Sequence, residues 1–176
     1  MTIKVSKPAI NIREKLNDLD FDKVPFQKMP AGSVLQVVSA KYDTEVINTS
    51  TTLADTGLTA TITPSNTSSK ILVLVAQPVW LERSGGESIY GFWYLLRGST
   101  TLTNNRFDIE SELNNESDRA LGTTYAESYL DSPATTSATT YKTQFKAGLS
   151  TASPQVVSQK GGTGYYSTIT LMEIAG

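Results

Sequence analysis

The sequence predicts an all-β protein: a jelly-roll sandwich of about 8–10 antiparallel strands, preceded by an extended N-terminal arm with one short helix. From Ser33 onward, short apolar stretches alternate with polar positions and are separated by Ser, Thr, Gly and Asn turns. The first thirty or so residues differ, because they are charged, contain Pro8 and hold one helical pattern. We therefore divide the chain into an arm, residues 1–32, and a β-domain, residues 33–176.

The arm carries a short amphipathic pattern. Asn11 is a good N-cap and Glu14 completes a capping-box-like pattern, which predicts a helix over about residues 11–19. A helix this short is marginal alone and needs a partner on which to pack. The segment Asp20–Pro30 holds two prolines and indicates an extended linker. The apolar residues that we assign to docking on a partner are Ile12, Leu16, Leu19, Phe21 and Phe26.

The first half of the β-domain predicts two kinds of strand. Shorter strands are expected at Ser33–Ala40, Asp43–Asn48, Thr51–Asp55 and Leu58–Thr63. Longer strands at Ile71–Trp80 and Ile89–Arg97 are apolar on both faces. Such strands are central and covered on both sides, or they face a subunit interface.

The second half of the β-domain contains a long polar interruption. Further strands are predicted at Thr101–Thr103, Tyr125–Leu130, Thr139–Ala147, Gln155–Ser158 and Tyr165–Ile174. Between the first two of these, Asn104–Gly122 is polar and acidic, and it is predicted to be the longest loop.

Composition argues against several classes of function. The chain has no Cys and no His, so thiolate chemistry and the commonest general base and metal ligand are missing. A net charge of −2 leaves no excess of cations to neutralise phosphates, which argues against nucleic acid. The longest apolar run, Ile71–Ala76, is too short to span a membrane, and no signal-peptide pattern is present. We expect a non-enzymatic protein that is made in a cytoplasm and not inserted in a membrane.

Acidic residues are the remaining candidates for metal chemistry. Asp18, Asp20 and Asp22 lack the ligand spacing, the glycine and the distal Glu of a calcium loop. The acidic segment 108–118 could bind calcium, but a solvated loop is the preferred interpretation. We therefore assign no metal or cofactor residue.

Catalysis by carboxylates is a weaker hypothesis. Asp108, Glu110 and Glu112 could in principle include a glycosidase acid–base pair. Glycosidases hold such groups on rigid strands in a cleft, whereas this segment is predicted to be a loop. The Gly-rich stretches 84–88 and 161–164 lack the Lys and the following helix of a phosphate-binding loop. We assign no catalytic residue.

Aromatic residues form the most prominent cluster of candidate contact residues. They are Trp80, Tyr90, Phe92, Trp93 and Tyr94. On strands that are apolar on both faces, such residues most often lie in the core or at a subunit interface, and we assign them to a trimer interface or core. A sugar-stacking surface is the alternative.

Several stretches of the sequence resemble structural proteins of tailed bacteriophages. Residues 7–20, KPAINIREKLNDLD, resemble leader peptides of marine phage virion proteins. Residues 61–75, TITPSNTSSKILVLV, residues 94–98, YLLRG, and residues 132–142, SPATTSATTYK, resemble tail-fibre and appendage proteins. The strand order and the closing strand are similar to trimeric jelly rolls of the C1q/TNF kind.

This resemblance implies a virion structural protein. We expect a homotrimeric surface appendage, a short fibre, that docks on other virion proteins through residues 1–30 and presents loops to a host glycan or receptor. A threefold axis would bury apolar strand faces that a lone sandwich exposes. Two alternatives stay open: a capsid decoration or cement protein that stabilises the shell, and a soluble carbohydrate-binding module.

Overall fold

The computed structural model describes residues 29–83, 88–109, 119–149, 154–161 and 164–176. The predicted helix and the docking residues Ile12, Leu16, Leu19, Phe21 and Phe26 lie outside the described residues. Of the residues that are described, none is helical and most belong to strands. The predicted all-β fold class is therefore confirmed.

The described residues form ten strands. In chain order they are β1 (Val34–Tyr42), β2 (Val46–Asn48), β3 (Ala54–Ile62), β4 (Lys70–Arg83), β5 (Ile89–Arg97), β6 (Thr100–Ile109), β7 (Arg119–Asp131), β8 (Thr139–Ala147), β9 (Gln155–Ser158) and β10 (Ser167–Ile174). Every pairing between them is antiparallel.

The strands form two sheets that pack face to face. Sheet A has the order β1-β10-β4-β9-β2. Strand β7 pairs with Ile71–Arg83 of β4, on the edge of β4 opposite to β10 and β9. The long strand β4 pairs with β10 through Lys70–Ala76 and with β9 through Val79–Glu82. Sheet B has the order β3-β8-β5-β6. Sequence neighbours such as β4 and β5 lie in different sheets, which is the arrangement of a jelly-roll sandwich.

The core lies between the sheets and follows the alternation of each strand. In β4, Ile71, Val73 and Val75 point inward, and in β8 every second residue from Thr139 to Ala147 is buried. Trp93 of β5 is fully buried, with its ring 5.2 Å from that of Phe107 and edge-on to it. This single continuous core explains why period-2 patterns predicted the strands well.

The predicted loop Asn104–Gly122 is wrong at both ends. Strand β6 continues to Ile109, and β7 begins at Arg119. The inward positions of β6 include Thr103 and Asn105, which donate hydrogen bonds of 2.9 Å to the Glu127 carboxylate of β7. Polar residues therefore occupy inward positions at this margin of the sandwich, and the apolar alternation that marks a strand is missing from the sequence.

The predicted strands Thr51–Asp55 and Leu58–Thr63 are one strand, β3. Its register on β8 shifts between Asp55 and Thr59, around Gly57 at φ 89°. A side chain at position 57 would collide with the ring of Tyr42. The glycine therefore marks a bulge inside a strand and not a turn between two strands.

A partly buried ion pair connects the two sheets. Arg97 of β5 donates from Nη1 to both carboxylate oxygens of Asp131, at 2.8 and 2.7 Å, and Asp131 ends β7. The Tyr141 hydroxyl of β8 donates to the same carboxylate at 2.7 Å. Burial, followed by the adjacent carboxylate, raises the pKa of Tyr141. The phenol therefore stays a neutral donor that satisfies the buried charge.

Candidate binding surfaces

The outer face of sheet A carries an apolar row that crosses four strands. Val37 of β1 pairs with Met172 of β10, Met172 pairs with Leu72 of β4, and Leu72 pairs with Leu130 of β7. We call these four residues the aliphatic row. With strands about 4.8 Å apart, the row extends about 14 Å across the sheet.

The ends of the aliphatic row are open to solvent. Val37 is 55% exposed and Leu130 is 50% exposed, although both are large apolar side chains. Val34, 49% exposed and paired with Ile174, extends the apolar surface by one position along the strands. Isolated exposed apolar residues are ordinary, but a continuous set in register across a sheet marks a contact surface.

The opposite end of the same face is aromatic. The Trp80 ring lies against Gly122 of β7, where a Cβ would come within 2.5 Å of its Nε1. Trp80 also packs edge-on against Tyr165, with ring centroids 4.9 Å apart. Tyr165 and Tyr166 are each about half exposed, and the Lys41 ammonium lies 4.4 Å from the centre of the Tyr166 ring.

The outer face of sheet B carries an aromatic stripe along β5, formed by Tyr90, Phe92 and Tyr94. Their side chains are half-buried and alternate with the core residues of the strand. Ring centroids are 5.6 Å apart between Tyr90 and Phe92 and 6.3 Å apart between Phe92 and Tyr94. The stripe thus offers neighbouring rings at successive outward positions.

Cations flank the aromatic stripe on both sides. Phe92 pairs with Arg106 of β6 and with Lys146 of β8, so a cation lies on each neighbouring strand. The Arg106 guanidinium lies 4.0 Å from the centre of the Tyr90 ring and forms an ion pair of 2.5 Å with Asp108. The Lys146 ammonium lies 5.5 Å and 6.0 Å from the centres of the Phe92 and Tyr94 rings.

A second lysine on the same face of β8 is neutralised. Lys142 forms an ion pair of 2.8 Å with Asp55 of β3, and Gln144 donates a hydrogen bond of 2.8 Å to the same carboxylate. Partial burial alone would raise the pKa of Asp55, but these two donors and the charge of Lys142 hold it below its usual value. Among the described residues, Lys146 has no such carboxylate partner.

The five aromatic residues singled out in the sequence lie in three different places. Trp93 belongs to the core, Tyr90, Phe92 and Tyr94 form the stripe on sheet B, and Trp80 lies on the outer face of sheet A. The aliphatic row was not singled out in the sequence. Its members lie on four strands that are distant in the chain, and alternation of polarity was the only signal that each one carried.

Acidic residues give no sign of a metal centre in the described part of the chain. There, no group of three or more Asp and Glu could hold a metal ion. Asp108 lies on β6 and pairs with Arg106, while residues 110–118 lie outside the described ranges. Over the same ranges, no helix is long and apolar enough to cross a membrane.

Comparison with known proteins yields structural neighbours only. No protein-family model and no curated protein matches the sequence. The chain is similar to a solved structure of the Gx strain of infectious bursal disease virus, at 13% identity and a TM-score of 0.31 over 80% of this chain and 37% of that one. The chain is also similar to the VP2 subviral particle of the same virus, at 13% identity and a TM-score of 0.31, over 80% of this chain and 38% of that one.

The T13 particle of infectious bursal disease virus is similar at 14% identity and a TM-score of 0.32, over 82% of this chain and 37% of that one. The chain thus spans little more than a third of the length of these viral chains. TM-scores near 0.3 are below the level of a shared fold, so the function of those proteins does not transfer to this chain.

Proposed function

We propose that the protein is a non-enzymatic virion structural protein of a tailed phage. It would be a trimeric surface appendage, a short fibre, that docks through its N-terminal arm and presents loops for host attachment. The aliphatic row on sheet A carries this proposal, because it places apolar side chains in register across four strands and leaves Val37 and Leu130 at least half exposed. The resemblance of residues 7–20 and 61–75 to phage virion proteins supports the virion assignment.

The physical argument for self-association is the free energy of burial. Removing apolar surface from water stabilises a complex by about 25 cal/mol per Å², so a half-exposed Val or Leu contributes about 1 kcal/mol when it is covered. Three copies that bring their sheet A faces together around one axis would cover three such rows. Closed cyclic symmetry would leave none of them exposed.

The arm then has a separate role. Ile12, Leu16, Leu19, Phe21 and Phe26 supply apolar anchors in a segment of about thirty residues ahead of β1. We assign these residues to a groove on another virion protein, where an amphipathic segment gains its packing partner. Three arms on one trimer would bind through avidity, so no single arm needs high affinity.

A capsid decoration protein is the alternative within the same class. It would use the same trimer and the same arm, but the arm would lie across capsid subunits and the product would be a stabilised shell. A soluble carbohydrate-binding module is the alternative from another class. It is favoured by the half-exposed Tyr165, which packs against Trp80, and by the half-exposed Tyr166 that follows it in the chain. It needs neither the trimer nor the arm.

The test combines solution mass with location on the particle. Light scattering is expected to give three times the chain mass, both for the full chain and for a chain that lacks residues 1–30. Immunogold labelling of particles is expected on the tail, and removal of residues 1–30 is expected to abolish it. Labelling across the head would select the decoration protein. A monomer that is absent from particles would contradict both virion proposals.

A further inference from the structure

We propose that the outer face of sheet B binds an acidic oligosaccharide, with Phe92 and Tyr94 stacking on sugar rings and Lys146 pairing with a sugar carboxylate. The inference deepens the host-attachment part of the proposed function, on which it rests. It assigns recognition to a sheet face, whereas the sequence favoured loops.

The open part of the aromatic stripe is the pair Phe92 and Tyr94. Arg106 lies close over Tyr90 and is itself paired with Asp108, so that end of the stripe is occupied from within the chain. Lys146 is farther from the rings beside it, at 5.5 and 6.0 Å from their centres. Its ammonium therefore makes only a weak cation–π contact and keeps donors for a ligand.

Polar groups suited to sugar hydroxyls flank Tyr94. Asn104 of β6 and Gln144 of β8 pair with Tyr94 in register, one on each side. Asn104 is exposed. Aromatic rings with amides at their edges match a pyranose, which has an apolar C–H face and a rim of hydroxyls.

Charge complementarity points to an acidic sugar. Lys142 is the internal reference: it lies on the same strand and the same face as Lys146, yet Asp55 neutralises it at 2.8 Å. In the described ranges no carboxylate does the same for Lys146. A carboxylate on the ligand would supply the missing partner and form a charge-assisted hydrogen bond.

On the described part of this face, Lys146 is the one lysine without a carboxylate partner, and this argues against nucleic acid as the ligand. Nucleic-acid binding draws its affinity from several neutralised phosphates, and this chain has a net charge of −2. The same stripe would stack bases if several cations lined it. Among the described residues of this face, Lys142 and Arg106 are paired with Asp55 and Asp108, so a ligand with isolated carboxylates fits better.

The experiment is calorimetric titration of the full chain with galacturonate and glucuronate oligosaccharides, at low salt, beside neutral galactose and glucose oligosaccharides of equal length. The native chain is expected to bind one of the acidic probes at least tenfold more tightly than its neutral counterpart. Lys146→Met is expected to abolish that preference. Phe92→Leu is expected to weaken binding of both the acidic and the neutral probe, because it removes the stacking surface.

Lys142→Met is the matched control, and it is expected to keep the native preference. If Lys142→Met and Lys146→Met lost the preference for the acidic probe equally, the preference would come from overall charge and not from the position of Lys146. That result would overturn the proposal. So would the absence of saturable binding to both acidic probes, or equal binding of oligothymidylate. Melting temperatures verify that each variant is folded. Solution mass and particle association of Lys146→Met should stay native, so a failed glycan site remains distinguishable from a failed virion assignment.

Discussion

Both outer faces of the sandwich consist of strands whose side chains alternate between core and solvent. The two faces differ in whether their outward side chains have partners within the chain. On sheet B, Lys142 forms an ion pair with Asp55. Arg106 forms an ion pair with Asp108 and lies over the Tyr90 ring. On sheet A, the aliphatic row ends in Val37 and Leu130, each at least half exposed. Sheet B thus satisfies most of its outward groups within the chain, whereas sheet A leaves an apolar surface in contact with water.

This difference teaches where a partner is needed. A charged or aromatic group on a sheet can be satisfied by its neighbours on the adjacent strands, as on sheet B. Aliphatic side chains form no hydrogen bonds or ion pairs with their neighbours. Only removal from water by a partner would stabilise the aliphatic row further. This contrast is the basis of the two proposals, which assign assembly to sheet A and recognition of a polar ligand to sheet B.

The largest effect is expected from a charge in the aliphatic row. Leu130→Asp should dissociate the proposed trimer, because an unpaired carboxylate buried at an interface costs several kcal/mol, a more than hundredfold loss of affinity. Val37→Asp at the other end should do the same. Analytical ultracentrifugation of the folded variants measures the change in mass.

The matched control for this experiment is Thr61→Asp, an exposed position on the outer face of the edge strand β3 in sheet B. It adds the same charge to the other face and should leave the mass unchanged. If Thr61→Asp dissociated the protein and Leu130→Asp did not, the roles of the two faces would be reversed.

The second prediction compares a buried carboxylate of sheet A with the exposed Asp55. Glu173 of β10 accepts hydrogen bonds from the Ser65 amide at 2.7 Å, the Ser65 hydroxyl at 2.6 Å and the Gln36 amide at 2.5 Å. Glu173→Gln should lower the free energy of unfolding by about 1–3 kcal/mol, because these donors lose a charged acceptor. Urea unfolding at pH 7 measures it.

The pH dependence of this effect has a definite sign. Burial pushes the pKa of Glu173 up, but the hydrogen bonds from Ser65 and Gln36 hold it below its ordinary value of 4.5. A depressed folded-state pKa gives stability that is present above the unfolded pKa and is lost as the pH falls through the folded one. The difference in unfolding free energy between the native chain and Glu173→Gln should therefore shrink as the pH falls below the ordinary Glu pKa and through the lowered one. A gap that widened in acid would contradict the assignment.

The third prediction uses a glycine beneath an aromatic ring on each face. Gly122→Ala on β7 of sheet A should displace the Trp80 ring, and Gly148→Ala, directly after β8 of sheet B, should displace the Tyr90 ring. Each should cost about 1 kcal/mol, because an overpacked but partly exposed ring can move. Only Gly122→Ala should shift tryptophan emission, since the ring that meets a side chain at position 122 is Trp80, whereas the ring at position 148 is Tyr90. An equal shift in both variants would show that the two faces are mechanically coupled.

The smallest effect is expected at the ion pair on sheet B. Asp55→Asn removes the partner of Lys142, but the Asp55 side chain is 58% exposed and solvent already screens the pair. The loss of stability should stay below about 1 kcal/mol and should shrink at high salt. Thermal melts at low and high salt check this. A loss as large as that of Glu173→Gln would erase the distinction between the two carboxylates.

Prediction from sequence worked where side chains alternate between core and solvent. Strands β5, β8 and β9 were expected at the bounds that the structure has, because their inward residues are mostly apolar or small. It failed at residues 104–109 of β6 and 119–124 of β7. Asn105, in the first of these stretches, takes an inward position but joins Thr103 and Glu127 in a polar cluster. Burial raises the pKa of Tyr125 in that cluster to about 12, with a contribution from Glu127, so the phenol remains a neutral partner. Hydrogen bonds across the sandwich replaced the apolar pattern on which the prediction relied.

The candidate surfaces were predictable only in part. The aromatic residues of β5 were found because they are adjacent in one strand, so their common face follows from period 2 alone. The cations beside them come from β6 and β8, and only strand pairing places Arg106 and Lys146 on either side of Phe92. The docking residues of the arm remain a prediction.

The amino-acid sequence by itself determined the fold class, the inward residues of most strands and the lack of thiol or imidazole chemistry. These follow from local period, composition and residue chemistry. The tertiary structure alone decided which strands are neighbours, and therefore that Val37, Leu72, Leu130 and Met172 form one row. The physical reason is that strand pairing is non-local: hydrogen bonds between backbones are the same for any sequence, and the packing of the whole core selects the partners.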